Sequence, residues 1–215
     1  MVPDGIVARL GRLYTATLSN ALEDLGQDGV ILGLAPVAPG TRLAGRALAV
    51  LQITGAAGDF PGSEFKVGAM IDAAKPGDVI VVANGGHAVS SWGGTATYAA
   101  KVKGIAGLVV DGGVRDREEM VEHGLPVFAR HLVPTTGRSR IRVVEIGGTV
   151  TVAGQRVATG DVIVADGTGI VCIPQDKAQR VLEIGEGLAA DDEQAMQEIA
   201  AGLTFSEAMA RFRKI

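Results

Sequence analysis

Asn84 to Glu119 reads NGGHAVSSWGGTATYAAKVKGIAGLVVDGGVRDREE, and the fold turns on how this stretch is parsed. An apolar run, Val79 to Ala83, stops at Asn84-Gly85-Gly86, as a buried strand does on entering a loop. The loop holds His87 and Trp92 and closes on Gly93-Gly94. Thr95 to Lys103 has helical texture, with Ala96, Ala99, Ala100 and Val102 apolar and Lys101 and Lys103 charged; Gly104 and Gly107 end it. Leu108-Val109-Val110 is a second buried strand, stopping at Asp111-Gly112-Gly113. Strand, Gly-rich loop, helix, strand is a crossover unit, which predicts two parallel strands. Both loops leave the carboxyl ends of those strands, where open α/β sheets bind ligands.

Working outward, Val114-Arg115-Asp116 follows the second strand and precedes a new helical pattern, Arg117 to His123, closed by Gly124. A guanidinium here can grip a carboxylate with two hydrogen bonds. A carboxylate here can ligate a hard cation such as Mg²⁺ or Mn²⁺. The Gly93-Gly94 turn offers unpaired backbone N–H groups, an anion site. Together they could hold a small α-keto acid. The plain alternative is that Asp116 caps the next helix and Arg115 is its solvated neighbour.

On each side, short apolar runs alternate with glycine. Ile6 to Leu25 has one apolar face and predicts a single amphipathic helix stopped at Gly26. Gln27 to Thr41 is a connecting loop with a short extended piece, and Leu43 to Ile53 a strand. A loop from Gly55 to Gly62 precedes a short helix, Ser63 to Ala74; Asp59 and Glu64 are either site residues or solvated acids. Pro126 to Ala129 is a strand and Arg130 to Arg140 a basic loop. From Arg142 to Ile173 the texture is short strands divided by Gly, and from Gln175 the chain is helical, with Leu203 to Phe212 as a last helix that Thr204 and Glu207 can cap.

The segment WGGTATYAAKVKGIAGLVVDGGVRDREEM resembles the RraA-like proteins, which include 4-hydroxy-4-methyl-2-oxoglutarate (4-carboxy-4-hydroxy-2-oxoadipate) aldolases and regulators of ribonuclease E activity. The resemblance rests on Gly94, the twenty residues Thr95 to Val114, Arg115-Asp116 and then Glu119. It continues through Pro126 to Arg130 and through GDVIVADGTGIVCIP, Gly160 to Pro174. It implies a single α/β domain of swivelling β/β/α type over 1–215, with a carboxyl-terminal helical extension from about 175, assembled as trimers or larger sets of trimers. It implies a metal-dependent carbon–carbon lyase that releases pyruvate, by aldol cleavage or by decarboxylation of oxaloacetate. The other activity in the family is non-catalytic regulation through a protein partner. Backbone amides of Gly93, Gly94, Thr95 and Ala96 would hold the pyruvyl carboxylate with Arg115, and Asp116 would ligate Mg²⁺ or Mn²⁺. From the carboxyl-terminal helix of a neighbouring subunit, an acid of the Asp191-Asp192-Glu193 cluster, Asp192 or Glu193, would approach the metal site. One departure matters: active aldolases often carry an acidic side chain at the position of Gly94, which serves proton delivery, and here it is absent. His87 or Asp111 are the candidates to replace it.

The whole chain sets bounds. Its 215 residues, 47% hydrophobic and 20% charged, argue for a folded protein with a sizeable core. Gly is 31 of 215, scattered between apolar runs as turns and close approaches. Net charge is −4 without a basic run before the last residues, which argues against direct nucleic-acid binding. No signal-peptide pattern or bilayer-length apolar stretch is present, so the expected location is the cytoplasm. The single Cys172 lies in an apolar run and reads as a packed strand residue. His87, His123 and His131 lack zinc-ligand spacing, and the glycine pairs do not form a dinucleotide fingerprint.

Overall fold

The computed structural model describes residues 1–212 and 214. Helices α1 (Asp4–Leu10) and α2 (Thr15–Asp24) and the short strands β1 (Val30–Ile31) and β2 (Ala35–Pro36) lead to a long strand, β3 (Leu43–Thr54). A 3₁₀ turn (Gly62–Glu64) and α3 (Val67–Ala73) precede β4 (Asp78–Ala83), α4 (Gly94–Lys103), β5 (Gly107–Val114), α5 (Arg117–His123) and β6 (Val127–Leu132). Then come β7 (Ile141–Ile146), the hairpin of β8 (Thr149–Val152) and β9 (Gln155–Ala158), β10 (Val162–Ala165), β11 (Ile170–Ile173), α6 (Ala178–Ala200) and α7 (Phe205–Arg211).

The main sheet runs β1-β11-β10-β3-β4-β5-β6-β2, with β7 also paired to β3. The crossover unit forms as its sequence predicts, and β3, β4, β5 and β6 are parallel in that order. Every residue of β5 is buried, Asp111 included, because parallel strands are covered on both faces. On one face α3, α4 and α5 pack over Leu108, Val110 and Val114 with Met70, Trp92 and Met120. On the other, the β8–β9 hairpin brings Val150, Val152 and Val157 onto Val79, Val81, Val109 and Phe128. Burying one side chain such as Phe128 contributes about 1.5–3 kcal/mol. Helices α1, α2 and α6 close a third cluster over Val162, Val164 and Val171. The fold is a mixed α/β single domain with a carboxyl-terminal helical extension.

Several boundaries differ from the sequence reading. The single helix expected over Ile6 to Leu25 is two: α1 stops at Gly11, where a Cβ would lie 2.6 Å from the Ala44 Cβ, and α2 restarts at Thr15. Thr15 donates from its N–H (2.9 Å) and its hydroxyl (2.8 Å) to Asp166, 151 residues away, so a distant residue fixes the break. The helix expected over Ser63 to Ala74 is interrupted by Lys66 at φ +40°. β5 does not stop at Asp111 but continues to Val114, with its pairing to β6 shifted between Val110 and Gly113, and β6 extends three residues into the expected basic loop. α4 buries Gly94, Thr97 and Ala100, leaving Val102 exposed. The capping box of Thr204 and Glu207 on α7 is present.

Candidate functional site

The loop between β4 and α4 is held from below by a buried polar chain. The Thr54 hydroxyl donates to Asn84 Oδ1 (2.6 Å), Asn84 Nδ2 to Ser91 Oγ (3.3 Å), and Ser91 Oγ to Gln52 Oε1 (2.7 Å). The buried Trp92 indole donates to the Thr97 hydroxyl at 3.0 Å. Backbone bonds stitch the loop to the end of β5: Ser91 N to Gly113 O (2.8 Å) and Arg115 N to Trp92 O (3.0 Å). Gly113 has to be glycine, because a Cβ there would sit 2.9 Å from the Val89 carbonyl and 2.7 Å from the Val133 side chain. The strand therefore keeps its glycines where the sequence suggested a turn.

This scaffold frames a cavity of about 180 Å³ lined by Gly93, Gly94, Thr95, Ala96, Arg115 and Asp116, with Phe65, Val67, Ser90, Trp92, Thr136 and Gly137 opposite and beneath. All six residues expected at the pocket from the sequence lie there. A second cleft, of about 210 Å³ between Val37–Thr41 and Met120–Val127, carries no ionisable lining group.

Asp116 does not cap its own helix. At φ +60° it makes no side-chain bond to α5; instead its Oδ2 accepts from the Gly94 N–H at 3.0 Å. That N–H is the first of α4, so Asp116 caps the neighbouring helix. Arg115 Nε lies 3.4 Å from the same oxygen, and both side chains are partly open, 43% and 36% exposed. Gly93 is extended, at φ −145°, so its role is space: a Cβ there would lie 2.6 Å from Asp116 Oδ2 and 3.2 Å from Arg115 Nε.

Gly94 explains its own missing side chain. A Cβ there would lie 1.8 Å from Glu119 Oε2 and 2.8 Å from the Glu119 Cβ. The space of an acidic residue at 94 is filled by a carboxylate from α5. Glu119 was visible only as the acid following the Arg-Asp pair; its meeting with Gly94 depends on α4 and α5 packing side by side. The two candidates named from the sequence do not serve. Asp111 is buried beneath the opposite face, accepting from Arg130 Nε (2.6 Å) and Ala153 N (2.8 Å). His87 is exposed and does not line the cavity. Asp59 accepts from Ala56 N at 2.6 Å and Glu64 pairs with Arg142, so both are local structural acids. Asp192 and Glu193 lie on α6 and do not line this chain's cavity; burial, and then the neighbouring Asp191, hold Asp192 above its ordinary pKa.

Among the described residues no three His, Cys, Asp or Glu side chains converge as a metal cage. Asp116 and Glu119 nonetheless place two hard carboxylates over adjacent glycines. Of the two, Asp116 lines the cavity, and a hard carboxylate there is the kind of ligand that Mg²⁺ or Mn²⁺ take, filling their remaining positions with water or ligand oxygens.

Fold and cavity thus define an α/β protein with a cavity lined by Arg115, Asp116 and the amino end of α4 at the carboxyl ends of parallel strands. The chain belongs to the RraA-like family (aldolase/RraA), which matches residues 15–172. A Halalkalibacterium halodurans protein named provisionally as a 4-hydroxy-4-methyl-2-oxoglutarate aldolase is 33% identical over 121 residues, 56% of this chain and 57% of that one. The chain spans 33% to 58% of the length of the curated relatives it matches. An uncharacterized protein from Pseudomonas syringae superposes with a TM-score of 0.89 at 29% identity, covering 98% of this chain and 95% of the other. RraAS2 of Streptomyces coelicolor, described as an unusual member of the RNase ES inhibitor RraA family, has a TM-score of 0.78 at 27% identity, covering 94% and 99%. No helix among the described residues is long and apolar enough to cross a membrane.

Proposed function

We propose that the chain is a divalent-metal-dependent carbon–carbon lyase acting on a pyruvyl-containing α-keto acid. The reaction is aldol cleavage of 4-hydroxy-4-methyl-2-oxoglutarate, decarboxylation of oxaloacetate, or both, with pyruvate as product. The observation that carries this reading is the convergence of Arg115, the amino end of α4 and Asp116 on one cavity, with Glu119 lying beside Gly94. Arg115 and the amides at Gly93 to Ala96 receive the pyruvyl carboxylate and face the negative charge that grows on the pyruvyl half as the bond breaks. Asp116 is the residue that would hold Mg²⁺ or Mn²⁺, which when bound supplies Lewis-acid polarisation of the keto group. Glu119 Oε2, in the place of the missing side chain at 94, takes the hydroxyl proton that aldol cleavage must remove. Decarboxylation needs no such base. Assembly as trimers, with Asp192 or Glu193 approaching a neighbour's site, belongs to the same proposal.

The second reading, a non-catalytic regulator of a protein partner, is favoured by the full-length match to an RNase ES inhibitor relative. Pyruvate release separates the two. Both substrates are supplied in turn with Mg²⁺, and pyruvate is measured for wild type and Arg115→Ala. The lyase reading expects turnover of at least one substrate and its loss in the variant. No pyruvate from either substrate would leave the regulator.

A further inference from the structure

We infer that Asp116 is an internal competitor of the ligand it helps to bind: without a cation it occupies the carboxylate site, so the cation must bind before the keto acid. This rests on the keto acid reading of the pocket. The Gly94 N–H, which would face the pyruvyl carboxylate, already donates to Asp116 Oδ2 at 3.0 Å. Arg115, the cationic partner of that carboxylate, has its Nε 3.4 Å from the same oxygen. Asp116 Oδ2 also sits 2.6 Å from where a Gly93 Cβ would be, so the carboxylate lies over the floor that an entering anion needs. An incoming carboxylate therefore meets a like charge, a donor already used and a guanidinium already compensated.

The rest of the geometry suits a group that can be withdrawn. Asp116 makes no side-chain bond to its own helix, and its other oxygen, Oδ1, has no hydrogen-bond partner among the described residues. A cation drawn to Oδ1 neutralises the carboxylate and weakens its hold on the Gly94 N–H and on Arg115. Both then turn to the ligand. Linkage makes the effect reciprocal, so pyruvate tightens cation binding by the same factor.

Metal-assisted ligand binding alone does not separate this device from simple chelation of pyruvate by the cation. The metal-free state does. Pyruvate binding is measured by ligand-observed NMR in excess chelator and again in Mg²⁺, for wild type, Asp116→Gly and Asp116→Asn. Both substitutions tolerate the left-handed backbone at position 116, and thermal unfolding checks that both fold. In chelator, Asp116→Gly is expected to bind pyruvate about tenfold more tightly than wild type, the size of one charge-assisted hydrogen bond released, and to lose its response to Mg²⁺. Asp116→Asn removes the charge but keeps an oxygen over the Gly94 N–H, so its gain should be distinctly smaller. Equal metal-free affinity in wild type and Asp116→Gly overturns the competition while leaving the pocket reading intact, provided that wild type binds in Mg²⁺. Equal gains in the two variants also overturn it, because charge alone would then account for the effect. If no protein binds pyruvate in any condition, the keto acid reading falls and the competition with it.

Discussion

Asp116 and Asp166 occupy equivalent local positions at two ends of the molecule. Each caps the first N–H of a helix from another part of the chain: Gly94 of α4 for Asp116, Thr15 of α2 for Asp166. Neither helix has a side-chain cap of its own. The difference lies in saturation. Asp166 is 5% exposed and both its oxygens are engaged, by Thr15 N, the Thr15 hydroxyl and Thr168 N. Asp116 is partly open and uses one oxygen. Asp161 follows the first pattern, at 3% exposure, accepting from Ala158 N and Gln175 N. A carboxylate with both oxygens committed holds the chain together. One with an idle oxygen facing a cavity is free to hold something else.

The sharpest test of that contrast is Arg115→Ala or Asp116→Gly. Each should lower pyruvate formation roughly 10²- to 10³-fold while moving the melting temperature by no more than a few degrees. A loss of activity that merely tracks unfolding would erase the distinction. The converse change is Asp161→Ala, which strands two partly buried N–H donors and should cost about 1–2 kcal/mol of stability. Urea denaturation reads that cost, and the fraction that remains folded should keep its normal specific activity.

The next largest effect concerns Glu119. Glu119→Ala should reduce aldol cleavage about ten- to a hundredfold and oxaloacetate decarboxylation less. Gly94→Asp alone is expected to lower stability, because its side chain enters the space of Glu119. The pair Gly94→Asp with Glu119→Ala should recover cleavage relative to Glu119→Ala. If the double variant stays as slow as the single one, the two positions are not interchangeable.

The smallest effect is one of pH. Burial pushes the Asp166 carboxyl up, but hydrogen bonds from Thr15 N–H, the Thr15 hydroxyl and the Thr168 and Gly169 backbone outweigh it, leaving the folded pKa below the ordinary value. The stability this contributes is fully present above the unfolded pKa of about 3.9 and disappears as pH falls through the folded value. Asp166→Asn should therefore flatten the acid limb of a stability–pH profile below about pH 4 and leave the neutral region lower but parallel. An unchanged acid limb would mean that Asp166 carries no acid-labile stability.

Much of this was legible in the chain, for a physical reason. The β4–α4–β5 unit announces itself because buried parallel strands need unbroken apolar runs, and glycine marks the loops between them. Arg115-Asp116 stands where such loops place ligands, and the cavity is found there. What stayed hidden depends on distant partners. The apolar periodicity through Leu10, Leu13, Tyr14 and Leu18 runs straight across the break between α1 and α2, and only Asp166 reveals it. The filling of the Gly94 position by Glu119 is likewise a product of helix packing, which no spacing encodes. Cys172 is the opposite case: an apolar run foretold a packed strand residue, and burial first, then Asp161, push its thiol well above its usual range.

The long strand β3 has one more implication, for how the chain is made. It pairs through its middle, Arg46 to Leu51, with β4, at its start with β10 and at its end with β7. A nascent polypeptide emerging amino end first can zip β4 onto β3 early, but the other edge of β3 stays bare until β7 and β10 have been synthesised. An exposed, apolar strand edge is a template for pairing with another chain, and slow, non-local closure lengthens that exposure. Newly made protein is thus expected to be most vulnerable to intermolecular β-pairing before Ala165 clears the exit tunnel; Arg46, which in the folded chain bonds to the Val2 carbonyl and to Asp4, puts a charge of the kind that discourages such pairing at the start of that edge.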